Sequence, residues 1–170
     1  MKKNDTFVAV LMGSDSDLPT MQATLDVLDK FGVAREVQIS SAHRTPALTH
    51  AYVKDADKRG CRVFIAAAGL AAHLAGTIAG LTIRPVIGVP MDAGPLQGFD
   101  ALLSTVQMPG GIPVAGMAIG KAGAANAGYL AVQILAQHDA GLAQKLRKDR
   151  EKNEQAIKEK NKAVQQKLSK

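Results

Sequence analysis

Apolar and polar positions along this chain alternate between two periods. Phe7-Val8-Ala9-Val10-Leu11-Met12 is an unbroken apolar run, the mark of a strand buried on both faces. Gly13-Ser14-Asp15-Ser16-Asp17 ends it with turn and N-cap residues. Leu18, Met21, Leu25 and Leu28 then recur at helical spacing up to Phe31-Gly32, a helix with a glycine stop. A second strand is expected near 35–39. Pro46 opens a helix over 46–59 that turns Leu48, Ala51, Tyr52 and Ala56 inward and closes at Arg59-Gly60. A third strand over 62–67 leads through Ala68-Gly69-Leu70-Ala71-Ala72-His73-Leu74 into a helix of small residues. Strand four covers 85–89, followed by the loop Pro90 to Gly98 and a short helix near 99–105. Strand five covers 112–117, with Pro113 near its start, which suits an edge position. An Ala-rich helix follows over 121–137.

Strands alternating with helices through short connections predict an α/β fold with one doubly wound parallel sheet. Five strands fit the flavodoxin-like order 2-1-3-4-5, with right-handed crossovers and a switch point between strands one and three. The expected organisation is a single α/β domain over 1–139 and a helical tail over 140–170. At the switch point three loops would meet: GSDSD, SAHRTP and AGLAAHL. That convergence is the bottom-up argument for a site.

Charge changes the picture only once it is located. The net charge is +6, but residues 1–139 balance eleven basic against eleven acidic side chains. Residues 140–170 carry ten basic and four acidic, so the excess lies entirely in the tail. Acidic residues are interspersed there and aromatics are absent, so the tail reads as a solvated helix and no nucleic-acid partner is expected. Its apolar positions Leu142, Leu146, Ile157, Val164 and Leu168 form a thin stripe, too narrow to hold a free helix firmly.

Val63 to Leu81 is nineteen residues without a formal charge, close to membrane-spanning length. Gly69, Gly76, Gly80 and His73 break it, so it is read as a buried strand, a turn and a packed helix. No membrane partner is expected. The single cysteine, Cys61, opens an apolar strand and suits a buried structural thiol in a reducing, cytoplasmic setting. Met1 to Asp5 shows no signal-peptide h-region.

The candidate site chemistry follows from the loops. Ser14, Ser16, Asp15 and Asp17 offer hydroxyls and carboxylates at a helix start, and Asp17 is suited to accept bonds from sugar hydroxyls. The alternative for these residues is helix capping. Ser41 and Arg44 flank His43, and the Arg44 fork suits phosphate or carboxylate. The alternative there is a surface ion pair. His43 and His73 are the groups able to move a proton near neutral pH, although a histidine at the start of an Ala-rich helix is commonly a packing residue. No zinc-type ligand spacing, G-x-G-x-x-G or P-loop is present, which excludes the familiar metal, dinucleotide and nucleoside-triphosphate sites. A small phosphorylated, sugar-like ligand with histidine chemistry remains.

GSDSD, SAHRTP and AAHL, followed by LSTVQMP over 103–109 and AIGKAGAANA over 118–127, resemble the N5-carboxyaminoimidazole ribonucleotide mutases, the class I PurE family. The resemblance spans about residues 6–145. It implies an isomerase of purine biosynthesis that moves carboxylate from N5 to C4 of an aminoimidazole ribonucleotide, with no cofactor or metal. It also implies a homo-octamer, with the loop Gln107-Met108-Pro109 completing a neighbour's site. On the resemblance, Ser14, Asp17, Ser41 and Arg44 hold the ribose and 5′-phosphate, and His43 transfers a proton at C4. Ala68, Gly69, Ala71, Ala72 and His73 form the wall around the base and its carboxylate. One departure stands out: the usual AAHLPG has Ala75 in place of proline, which removes a fixed φ at the helix start. The nearest alternatives are direct carboxylation by free CO₂, carboxylation of another heteroaromatic acid, and a non-catalytic nucleotide-binding module.

Overall fold

Strand β1 (Phe7–Met12) is buried at every position, as its continuous apolar run requires. In the computed structural model the described residues are 6–169; the stretch Met1–Asp5, in which no leader is expected, lies outside them. The other strands are β2 (Arg35–Ile39), β3 (Cys61–Ala68), β4 (Val86–Pro90) and β5 (Ala115–Gly116). All pairs are parallel, in the order β2-β1-β3-β4-β5. Helices α1 (Leu18–Phe31), α2 (Pro46–Arg59), α3 (Leu74–Ala79), α4 (Phe99–Val106) and α5 (Gly120–Ala136) form the crossovers and outer layers. The predicted flavodoxin-like topology is therefore the observed one.

Strand pleating sends alternate residues to opposite layers. Phe7, Ala9 and Leu11 of β1 and Phe64 and Ala66 of β3 pack with Val53 and Ala56 of α2 and Leu74, Ala75 and Ile78 of α3. On the other side α1 meets α5: Thr24 Oγ1 donates to Ala124 O at 2.6 Å. Gly128 lies so close to Val27 that a Cβ there would stand 2.9 Å from the valine Cβ. Cys61 is fully buried, and burial pushes its thiol up to about 11, so it is an inert structural group.

Two details depart from the sequence-based expectation. The inward face of α2 is Thr49, Val53 and Ala56, whereas Leu48 is 63% exposed. Burial of Thr49 is tolerated because its hydroxyl meets Ser40 Oγ at 2.6 Å and donates to Thr45 O at 3.2 Å; a satisfied hydroxyl costs little to bury. Strand β5 is two residues long instead of six. Pro113 cannot donate to a ladder, and Gly110-Gly111 turns the chain just before it, leaving Ile87↔Ala115 and Gly88↔Gly116 as the paired positions.

The uncharged Val63–Leu81 stretch divides into β3, a loop and α3, as expected. Among the described residues no helix is long and apolar enough to cross a membrane. The chain falls into two compact units, divided between Ile134 and Leu135. The second contains α6 (Ala140–Leu168), capped by Asp139 Oδ1 accepting the N–H groups of Gly141 and Leu142. Ile157, Val164 and Leu168 of α6 are exposed.

Candidate active site

The loops that leave the carboxyl ends of β1, β2 and β3 adjoin because their strands are neighbours. Backbone bonds fix their roots: Gly13 N–H donates to Ala67 O at 3.0 Å and Ser40 N–H to Met12 O at 2.8 Å.

The first loop closes into a short 3-10 turn, Asp15–Asp17. Ser14 caps it, its Oγ accepting Ser16 N–H at 3.3 Å, while Asp17 Oδ2 accepts Ser14 N–H at 3.1 Å. This reciprocal capping box meets the capping alternative for Ser14 and Asp17. Partial burial holds the Asp17 carboxyl above its usual range; Ser14 N–H opposes the shift and the Asp15 charge adds to it.

The second loop is stapled internally. Thr45 Oγ1 accepts Ser41 N–H and donates to Ser41 O, both at 3.0 Å. Ser41 Oγ accepts from Arg44 N–H at 3.2 Å and from Arg44 Nε at 3.4 Å. Arg44 Nη2 then reaches across to donate to Gly13 O at 3.2 Å. The guanidinium therefore stands between the first two loops, exposed, bonded to Ser41 Oγ and Gly13 O.

The third loop is tightly built. A Cβ at Gly69 would stand 3.0 Å from Ala93 Cβ, so the glycine lets the Met91–Gly98 segment lie close, and a larger residue would push it back by a few tenths of an ångström. Leu70 has φ 55°, a left-handed conformation that costs a non-glycine residue of order 1–3 kcal/mol. Ala72 N–H donates to Ser104 Oγ at 3.0 Å, and that hydroxyl donates onward to Asp100 O at 2.8 Å. Ser104 thus ties the loop to α4, a role that sequence reasoning missed; its only trace was the LSTVQMP stretch. Helix α3 begins at Leu74 despite Ala75, so proline is not needed to start it.

Loops two and three meet through their histidines. His43 Nε2 and His73 Nδ1 are 2.7 Å apart, with ring centroids at 4.8 Å and planes at 74°. His73 is therefore paired with His43 rather than packed into α3. Of the sequence-predicted residues, Ser14, Asp17, Ser41 and Arg44 gather around the first two loops, while His43 and His73 join the second to the third. Ala68 and Gly69 are half-buried, Ala72 is buried and Ala71 is exposed.

A flavodoxin-like sheet whose switch-point loops gather hydroxyls, a guanidinium and paired imidazoles defines a small-ligand α/β protein with acid–base capacity. Residues 7–156 match the family model described as AIR carboxylase, and the chain belongs to that family. It is 53% identical over 157 residues to the N5-carboxyaminoimidazole ribonucleotide mutase of Synechocystis sp., covering 92% of this chain and 88% of the relative. The Bacillus subtilis mutase of the same name is 52% identical over 150 residues, covering 88% and 93%. Among solved structures, Treponema denticola PurE superposes with a TM-score of 0.82 at 29% identity, covering 91% of this chain and 95% of that one.

Proposed function

We propose that this chain is an N5-carboxyaminoimidazole ribonucleotide mutase, an isomerase moving carboxylate from N5 to C4 of the aminoimidazole ribonucleotide. The observation that carries the reading is the His43–His73 pair where the second and third loops meet, in a chain about half identical to relatives of that name. Ser14, Asp17, Ser41 and Arg44 hold the ribose and 5′-phosphate, with Arg44 presenting its fork between two loops. Ala68, Gly69, Ala71, Ala72 and His73 wall the base and its carboxylate.

In this reading the N5-carboxylate leaves as CO₂, and the aminoimidazole becomes a carbon nucleophile. N5 takes up a proton as its carboxylate leaves, C4 attacks the retained CO₂ and gives up its own proton, and His43 carries the proton from C4, so one proton gained at N5 matches one lost at C4. Holding both fragments together supplies effective concentration and keeps CO₂ from water. The chemistry belongs to residues 1–139, with 140–170 a basic helical appendage, and the free, buried Cys61 suits a cytoplasmic setting.

The assembly in this reading is a homo-oligomer, an octamer on the family resemblance. Supporting it are large exposed apolar side chains on the body, among them Ile39, Leu48, Phe99 and Leu103, which a partner copy would cover. Light scattering reads the state directly, and a stable, active monomer would contradict it.

A second reading is favoured by the family description itself, AIR carboxylase: direct carboxylation by free CO₂. Supplying the N5-carboxy substrate with and without bicarbonate separates the two. The mutase converts it without bicarbonate, whereas a carboxylase needs added CO₂.

Arg44→Lys tests the anchor. Lysine keeps the charge but loses the planar fork, so KM is expected to rise by an amount worth about 1–3 kcal/mol, the range for bonds to charged groups. An unchanged KM with a lowered Tm would make Arg44 a structural tether between loops one and two.

A further inference from the structure

We propose that Ser104 is a positioning residue: it fixes the Ala71–Ala72 peptide of the third loop, and through it keeps released CO₂ in the site until C4 attacks. The activity side of this inference rests on the mutase reading; its structural side does not.

A peptide unit is planar, so a bond at each end fixes its orientation. The unit joining Ala71 to Ala72 has both. Its carbonyl oxygen, Ala71 O, accepts His73 N–H at 2.8 Å, a bond within the loop. Its N–H donates to Ser104 Oγ at 3.0 Å, a bond that ties the loop to α4. The direction of this second bond is unambiguous, since a backbone N–H only donates and a hydroxyl has one proton to give. Ser104 gives that proton to its own helix, to Asp100 O at 2.8 Å with Ala101 O at 3.2 Å, the back-bond available to a serine inside a helix. A lone pair is left for Ala72.

The core sets where Ser104 stands. Ala101 and Thr105 of α4 are buried, and Thr105 Oγ1 donates to Ala101 O at 2.7 Å. The helix rests on β4 where Gly88 leaves room, for a Cβ there would stand 2.4 Å from Thr105 Cγ2. Just past α4, Met108 lies against Gly76 of α3, its Sδ 3.1 Å from where a Cβ would stand. One segment thus braces the third loop by a bond and the helix after it by contact. Bracing is needed, because Leu70 holds φ 55° and a strained backbone persists only where its surroundings over-determine it. Ala72 is 2% exposed, so an N–H deprived of Ser104 there is costly to leave unpaired.

In the mutase reading Ala71 and Ala72 wall the base and its carboxylate, while Arg44 holds the phosphate at the other two loops. Released CO₂ carries no charge for an anchor to grip, so its retention depends on the shape of the wall. Loosening that wall raises escape and leaves ground-state binding of the nucleotide in place.

Ser104→Ala removes the acceptor and puts a strong helix former in α4, so a folded variant is expected. Ser104→Thr restores the hydroxyl in a helix where Thr105 already makes the same kind of back-bond. Both are given N5-carboxy substrate labelled with carbon-13 in its carboxylate, in unlabelled bicarbonate. Ser104→Ala is expected to raise the ratio of free aminoimidazole ribonucleotide to C4-carboxy product about 10–100-fold, the scale of a small misplacement at a reacting centre. Unlabelled carbon then enters the product, with KM little changed. Ser104→Thr is expected to return the ratio toward that of the unsubstituted protein. Amide hydrogen exchange at Ala72 is the arm independent of activity. It is expected to be about 2–12-fold faster in Ser104→Ala, the factor for one net hydrogen bond, and slowed again in Ser104→Thr.

An unchanged product ratio in Ser104→Ala, even with a lowered Tm, makes Ser104 a structural tie and overturns the inference. Equal Ala72 exchange in Ser104→Ala and the unsubstituted protein overturns it too. A Ser104→Thr protein that protects Ala72 yet still loses CO₂ does the same, whereas one that restores neither supports it, because bond and retention fall together. A protein inactive on the N5-carboxy substrate refutes the mutase reading and leaves Ala72 exchange to decide the tie.

Discussion

His43→Asn is expected to bind nucleotide with near-normal affinity while forming the C4-carboxy product about 10²–10⁴-fold more slowly, the usual contribution of a positioned acid–base group. That corresponds to roughly 3–5 kcal/mol of barrier. Asparagine keeps approximate size and hydrogen bonding but cannot accept and release a proton. Since the bonded atom of His43 is Nε2, His43→Gln places an amide where that nitrogen stood and separates loss of the bond from loss of the proton carrier. Both variants are expected to fail in turnover. CO₂ release from N5 does not need a proton taken from C4, so both are expected to retain decarboxylation measured as free aminoimidazole ribonucleotide. Near-normal C4 carboxylation in His43→Asn, with its loss in His73→Asn, would reverse the two roles.

The largest expected effect on stability belongs to Gly123→Ala. A Cβ at Gly123 would stand 1.6 Å from Ala118 O and 2.6 Å from Ala118 C. These are backbone atoms, so no rotamer change relieves the overlap. Either Ala118 and Ile119 lift off α5, or α5 shifts on α1, where Thr24 bonds Ala124 O and Gly128 rests on Val27. Overpacking of this kind reaches about 3 kcal/mol or more, and Tm is expected to fall by roughly 6–12 °C for a chain of this size. Gly110→Ala is the control, because nothing lies within 4 Å of a Cβ there. Equal melting temperatures for the two variants would refute the close approach.

The topology was legible because β1 carries an uninterrupted apolar run and the alternation of elements leaves few ways to wind a parallel sheet. The face of α2 was not. Hydrophobicity nominated Leu48, but the sheet takes Thr49, whose hydroxyl finds two oxygens that no period in the sequence announces. Strand β5 was overread because Ile112 and Val114 look strand-like while Pro113 and the glycines before it withhold the ladder. At the site, the convergence of three loops followed from strand order, but the contact between His43 and His73 did not. It depends on the relative set of two loops thirty residues apart, so the residues alone left His73 open between proton carrier and packing residue, and only the resemblance placed it in the wall of the site. Ser104 was invisible for the same reason: a serine in a helix declares nothing until the N–H it receives is known. Asp17 was read as a sugar acceptor, and its capping bond to Ser14 leaves one carboxylate oxygen engaged before any ligand arrives.

The most direct test of the mutase reading follows the fate of the migrating carbon. The N5-carboxy substrate is labelled with carbon-13 in its carboxylate and incubated with the protein in unlabelled bicarbonate, without ATP. Mass spectrometry then reads the C4-carboxy product. The account predicts rapid product formation that is independent of bicarbonate and retains the label, because the released CO₂ is recaptured before it escapes. A product carrying unlabelled carbon, or formed only in proportion to added bicarbonate, would contradict it.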